Sequence, residues 1–398
     1  MQHSPKSAFF EYLAQTSPSP MALEIGSAQG NYLIGSDGKK YLDLIAGISV
    51  CNIGHQHPAV IAAIENQIHK HLHVMVYGEV VQSAQSAYGE YLIQHLPAEL
   101  NTVYFTNSGT EAIDAAMKLA KRVTGKFGFV AQENSYHGST QAPLSLMSDA
   151  YYTDPYKPLL GPVYFIKQNQ IAQLETIPWN QIAAVVIELV QAENGTTPAE
   201  VEYLQQIQVY CHQHKVLLIF DEIQTGFGRT GSLFAFEQYQ IVPDVLVLGK
   251  ALGGGMPMGA IVARKELMNQ LSNSPILGHI TTFGGHPVSA AAGKAAMQVL
   301  IEDQLIIGVD NKAALFRKRL VHPKITSVQG MGLLMSVGLS SFNEILQVIP
   351  KLIQRGVFTD WFLFANNRFR ICPPLTISVQ EIEDCCQVIL SVLNEIDE

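Results

Sequence analysis

The strongest constraint on this chain is a series of short apolar runs that do not alternate with polar residues, each set beside a helical pattern. "IAAVVIEL" (182–189), "KVLLIFD" (215–221) and "DVLVLGK" (244–250) are such runs, and "NTVYFTN" (101–107) leads straight into "GTEAIDAAMKLAKRV" (109–123). A strand that is apolar throughout must be covered on both faces, which is the situation in a parallel sheet sandwiched by helices. Strand–helix alternation of this kind predicts an α/β fold with a mainly parallel sheet. With 398 residues, 47% of them apolar, the chain is long enough for more than one core. From about residue 286 the pattern changes to a long helix, "VSAAAGKAAMQVLIEDQ", then β-leaning stretches and a closing helix. We therefore expect an N-terminal segment (1–45) packed near a small domain, a large domain (46–285) and a smaller C-terminal α+β domain (286–398).

Local signals fill in this outline. The first twenty residues, with Pro5, Pro18 and Pro20, are expected to wander over a surface. Ser36-Asp37-Gly38 offers turn chemistry for a hairpin. "HPAVIAAIENQIHKHLH" (57–73) has helical spacing with Pro58 in the first turn, which would set His69 and His73 on one face. No acidic partner lies nearby, so no metal site is expected. The net charge of −9 argues against nucleic acid or an anionic membrane as the main partner. Five cysteines without CxxC spacing, no basic-then-apolar leader and no apolar run of membrane length suggest free thiols in a cytoplasmic protein.

Three places could carry chemistry. Ser108, Gly109 and Thr110 sit between a strand and a helix, where free amides could cradle a phosphate, although Ser108 or Thr110 could equally be an ordinary cap. Asp221 ends an apolar strand at the edge where open α/β sheets bind ligands, and could cap a turn or hold a cationic ring nitrogen. Glu222 is its rival, pointed the other way by strand alternation. Lys250 ends the next strand before Gly253-Gly254-Gly255. A buried lysine loses hydration and becomes a nucleophile toward carbonyl carbon, and the glycines would leave room for a ligand. A phosphate cradle, a carboxylate for a ring nitrogen and an amine for an aldehyde together match pyridoxal 5′-phosphate. Tyr136 could stack on its ring, or simply pack in the core. Neither GxGxxG after a strand nor GxxxxGK[ST] occurs, so nucleotide sites lack support.

From about residue 27 onward the chain resembles class III aminotransferases of the ornithine and acetylornithine group, within the fold-type I family of pyridoxal-phosphate enzymes. The resemblance rests on "DGKKYLDLIAGISVCNIGHQHPAV", "NSGTEAIDAAMKLAKR", "LLIFDEIQTGFGRTGSLFAFE", "VLGKALGGGMPMGA", "TTFGGHP" and "RICPPL", in that order. It implies that Lys250 bonds the cofactor aldehyde and then moves the substrate proton, and that Asp221 pairs with the ring nitrogen. Ser108, Gly109 and Thr110 would hold the phosphate, Gln224 would reach the phenolic oxygen, and Tyr136, His137 and Ile223 would surround the ring. Thr282 would reach the phosphate in a partner subunit, which implies a homodimer. Arg370 would clamp a substrate carboxylate and Glu193 would pair with it, with Glu188 either a supporting residue or an ordinary strand-end carboxylate. Ornithine-type members carry an arginine after "HG", whereas here that residue is Ser139, as in ω-amine transaminase-like relatives. A hydroxyl cannot give a bidentate clamp.

The activity implied is amino transfer in amino-acid metabolism, from ornithine, N-acetylornithine or another ω-amino compound to 2-oxoglutarate, in a ping-pong cycle. An aminomutase or epimerase, an ω-amine:pyruvate-type transaminase, and a cofactor-binding regulator or scaffold without catalysis stay open as alternatives.

Overall fold

A computed structural model of the chain describes residues 4–76 and 79–396. Its largest sheet has seven strands, β1 Thr102–Thr106, β2 Gly128–Gln132, β3 Val163–Ile166, β4 Ile182–Glu188, β5 Leu217–Asp221, β6 Val245–Leu248 and β7 Gly259–Ala263. They lie in the order β1-β7-β6-β5-β4-β2-β3. Only β7 runs against its two neighbours; the other pairings are parallel. The apolar runs read as strands are these strands, and their lack of alternation has the expected cause. Leu218 and Phe220 enter a core on one face with Tyr203, Leu204 and Ile207 of the helix Val201–His214. Leu217 and Ile219 enter a second core on the other face, with Ile113, Ala116 and Ala120 of the helix Gly109–Thr124.

The helix Gly109–Thr124 has clear boundaries. Ser108 caps its start, Glu111 lies in the first turn, Lys121 and Arg122 in the last, and Gly125 ends it at φ +68°. Acidic first turns and basic last turns complement the helix dipole, and glycine enters the left-handed conformation without a Cβ clash.

The N-terminal strands Ile25–Gln29, Tyr32–Gly35 and Lys40–Asp43 form an antiparallel ribbon that is extended by Val357–Phe358, so the start of the chain is tied to its C-terminal part. The expected turn at Ser36-Asp37-Gly38 joins the second and third of these strands, with Gly38 at φ +81°. A separate antiparallel sheet holds Ser327–Met331, Leu334–Gly338 and Arg368–Ile371. The long helix Pro287–Glu302 packs against the helices Pro58–Ile68 and Ser83–Ile93 and the turn at Lys250–Gly253.

Three local expectations are corrected. The first twenty residues do not simply wander: Pro5–Tyr12 is a helix capped by Ser4, although it buries none of its side chains. The helix starting at Pro58 stops at Ile68, so His69 is its C-cap and His73 lies beyond it. The His73 ring instead stacks on His286 and tilts against Phe283. None of the three glycines after Lys250 lines the cavity that holds Lys250, and Gly254 is packed against the long helix. Gly254 is at φ +60°, and a Cβ there would lie 2.6 Å from the Ala292 carbonyl oxygen of the long helix.

Candidate active site

The carboxyl ends of the parallel strands share one edge, and there the structure gathers most of the expected residues. Glu188 ends β4, Asp221 ends β5, and Lys250 follows β6 by two residues. Asp221 sits opposite Glu188 in the β4–β5 register. They line a cavity of about 370 Å³ together with Gly109, Thr110, Tyr136, His137, Ser139, Glu193, Ile223 and Gln224. That volume lies within the range of about 300–1,000 Å³ typical of small-molecule sites.

Lys250 takes the left-handed conformation at φ +49° and donates from Nζ to Gln224 Oε1 at 2.7 Å. Burial pulls its amine below the ordinary lysine range, and Arg370 adds to this while Glu193, Asp221 and Glu188 oppose it. Asp221 is clamped. Its Oδ1 accepts from the Ile223 amide at 3.0 Å, and its Oδ2 lies 2.7 Å from His137 Nδ1. Burial works against a charged His137, but the Asp221 hydrogen bond and charge, with Glu188, leave it raised above the usual histidine value. A buried carboxylate tied to an imidazole and an amide in this way keeps its orientation. Glu188 accepts from the amides of Tyr136 and Ala192, and burial pushes its carboxyl up to about 7. Glu222 does turn away: it accepts from the amides of Ala235 and Phe236 and from the Thr225 hydroxyl.

One wall of the cavity is the start of the helix Gly109–Thr124, and the first-turn amides of a helix favour an anion. Of the three residues expected there, Gly109 and Thr110 line the cavity. Ser108 is the helix cap, its Oγ accepting from the Glu111 amide at 3.3 Å. A Cβ at 109 would lie 2.7 Å from Ile223 Cδ1, so a larger residue there would push the Ile223 side chain aside. Ile223 and Tyr136 both line the cavity, and the Tyr136 hydroxyl meets Ser139 Oγ at 2.9 Å. Thr282 is exposed and does not line the cavity of its own chain.

Arg370 is 1% exposed and stands behind Glu193, which is the member of the pair that lines the cavity. Its Nη2 donates to Glu193 Oε1 at 3.0 Å, its Nε donates to Asp360 Oδ1 at 2.8 Å, and its guanidinium lies 4.4 Å from the Phe362 ring centre. Burial disfavours the charge, but Glu193 and Asp360 outweigh it and raise the guanidinium further. Asp360 and Phe362 are the residues that sequence reasoning missed. Nothing local marks them, because the backbone pairing of Asp360 with Arg370 brings together positions ten residues apart around a loop.

The site fits pyridoxal 5′-phosphate. Gln224 Nε2 and His137 Nε2 are buried without partners beside the lysine and the clamped carboxylate, and the start of the helix Gly109–Thr124 lines the same cavity. Unpaired buried donors point to a polar ligand.

Comparison with known proteins agrees. The model of the family described as aminotransferase class-III matches residues 13–393. The chain is 36% identical over 390 residues to acetylornithine aminotransferase of Methanosarcina mazei, covering 95% of this chain and 93% of the relative. It is 34% identical over 386 residues to ornithine aminotransferase 1 of Staphylococcus aureus, covering 94% and 95%. An ornithine aminotransferase structure from Toxoplasma gondii superposes with a TM-score of 0.91 at 27% identity, covering 99% of this chain and 96% of that one. The ω-transaminase of Pseudomonas jessenii, solved with PMP, shares the fold with a TM-score of 0.91 at 23% identity, covering 99% and 98%. Among the described residues, no helix is long and apolar enough to cross a membrane. The chain belongs to the class III aminotransferases and is a pyridoxal-phosphate-dependent enzyme of the fold-type I architecture.

Proposed function

We propose that this enzyme moves an amino group from an ω-amino donor, ornithine or N-acetylornithine foremost, to 2-oxoglutarate, with donor and acceptor using one site in turn. The observation that carries this reading is the Glu193–Arg370 pair at the cavity wall. While Glu193 covers Arg370, the wall suits a donor end without a carboxylate. When Glu193 turns away, a buried guanidinium is available for the acceptor's carboxylate.

When bound, pyridoxal phosphate supplies an electron sink for the carbon that loses its proton. Lys250, its amine pulled below the ordinary lysine range by burial, would take that proton at Nζ and return it to the neighbouring position. Asp221, held by His137 and the Ile223 amide, would keep the ring nitrogen protonated. Gly109 and Thr110 would bind the phosphate, Gln224 would orient the phenolic oxygen, and Tyr136 and Ile223 would exclude water from the ring. Lys250→Ala is expected to lower turnover about 10³-fold or more while the protein stays folded. An active Lys250→Ala protein would disprove the assignment.

A homodimer is part of the reading. Leu72, Val74 and Met75 are exposed next to Ile280 and Phe283, the two segments being joined by the His73–Phe283 ring contact. An apolar surface of this kind suits burial against a second copy, which would bring its Thr282 to the partner's phosphate. The five free cysteines fit a cytoplasmic enzyme.

The test is a half-reaction screen on the purified holoenzyme, following loss of the visible cofactor band with ornithine, acetylornithine, lysine, 4-aminobutyrate and simple amines. Activity undiminished without any oxo acid would replace transamination by an aminomutase or epimerase reaction. Ser139, bonded to Tyr136 where a clamp would stand, favours a second reading, an ω-amine:pyruvate-type transaminase. Faster regeneration of the band by pyruvate than by 2-oxoglutarate would select it.

A further inference from the structure

Arg370 is held by more than the pair just described. A guanidinium has five N–H donors in one plane, and a bidentate carboxylate needs two of them on one edge. In this chain Nη2 is taken by Glu193, Nε by Asp360, and Nη1 is buried with no partner. The Nη1/Nη2 edge is thus half used. It becomes a complete carboxylate site as soon as Glu193 leaves.

Glu193 is held from both oxygens, Oε1 facing Arg370 while Oε2 accepts from the Leu363 amide at 3.2 Å. Asp360 is fixed differently. Its carbonyl accepts from the Arg370 amide at 2.9 Å, and the next residue, Trp361, bridges to Phe369. Asp360 therefore belongs to the same backbone ladder as the arginine. The Phe362 ring, 4.4 Å from the guanidinium carbon, packs against the same plane.

We propose that Asp360 is a positioning residue, which holds Arg370 by Nε while Glu193 is away so that the Nη1/Nη2 edge stays aimed at the incoming carboxylate. The proposal rests on the reading of Arg370 as the carboxylate clamp. Without Asp360, a released guanidinium would have only the aromatic face to hold it. It could follow Glu193 or rotate, losing the alignment that bidentate binding requires.

The sign of the effect separates this role from simple electrostatics. A negative charge beside Arg370 that did nothing but screen it would weaken anion binding, so its removal would tighten binding. A positioning group acts in the opposite direction. The experiment measures binding of glutarate, an unreactive dicarboxylate, to the holoenzyme by calorimetry, with melting temperatures recorded beside it. Asp360→Ala is expected to weaken glutarate binding about tenfold, the scale of one charge-assisted hydrogen bond left poorly made. Asp360→Asn, whose Oδ1 still accepts from Nε, is expected to restore affinity to within about twofold of the parent. In the half-reaction with a carboxylate-free amine, the change caused by Asp360→Ala should be at least about fivefold smaller than its effect on glutarate.

Tighter or unchanged glutarate binding in Asp360→Ala overturns the proposal. Equal losses in the alanine and asparagine variants also overturn it, as does an equal loss toward the simple amine. Arg370→Gln is the control for the underlying reading. If it binds glutarate as well as the parent does, Arg370 is not the clamp, and the role of Asp360 falls with it.

Discussion

At the scale of single residues, the site works by giving neighbouring carboxylates different partners. Asp221 faces an imidazole and an amide, Glu193 faces a guanidinium, and the buried Glu222 faces two amides and a hydroxyl. Glu222 is pushed up to about 7 by burial, with its hydrogen bonds opposing the shift. A glutamate whose folded value is raised contributes stability that is full below its unfolded value and is lost as pH rises through the folded one. The window runs from the ordinary 4.5 to about 7. Over it the contribution falls by roughly 3 kcal/mol, an order-of-magnitude figure. Glu222→Gln should flatten that part of the slope, and denaturant unfolding at pH 5, 6, 7 and 8 measures it. An unchanged slope would mean that Glu222 is ionised throughout the range.

At the scale of elements, the cavity is made where a loop crosses the start of a helix. Gly138 is at φ +135°, and a Cβ there would overlap the Thr110 side chain. The loop around Tyr136 can lie so close to the helix N-terminus only because that position has no side chain. Gly138→Ala is expected to push Thr110 and the Tyr136 loop apart and to weaken cofactor binding about tenfold, with both strain and displacement acting. Titration of the apoenzyme with pyridoxal phosphate checks this, and an unchanged affinity would show that the loop shifts without disturbing the anion site. The outer boundaries of these elements were readable in advance. Ser108 and Pro58 mark helix starts by their own chemistry, as capping rules require. The end of the helix at Ile68 was not readable. His69, Lys70 and His71 continue the helical spacing, and the ring stack of His73 on His286 is a long-range contact.

At the scale of the whole molecule, Arg229 ties distant parts of the chain together. It is fully buried and donates to Asn52 Oδ1 and to the carbonyls of Leu333 and Pro373. These three partners come from the N-terminal part, the small antiparallel sheet and the segment after Arg370. No carboxylate pairs with Arg229 in these bonds, and burial lowers its guanidinium from the ordinary value. Arg229→Met is expected to destabilise the protein by about 3 kcal/mol, because three buried acceptors lose their donor at once. Chemical denaturation measures it, and a loss below about 1 kcal/mol would show that the acceptors find other partners.

The sequence by itself determined the layered sheet and the main identity of the site. Uninterrupted apolar strands have to be covered on both faces, and parallel strands have to end on one edge, so Glu188, Asp221 and Lys250 had to meet there. Tertiary structure alone decided which further atoms hold those residues. His137 on Asp221, Gln224 on Lys250 and Asp360 on Arg370 are contacts across loops and strands. Spacing along the chain carries no record of such contacts, because hydrogen bonds depend on direction and on tenths of an ångström that only packing sets.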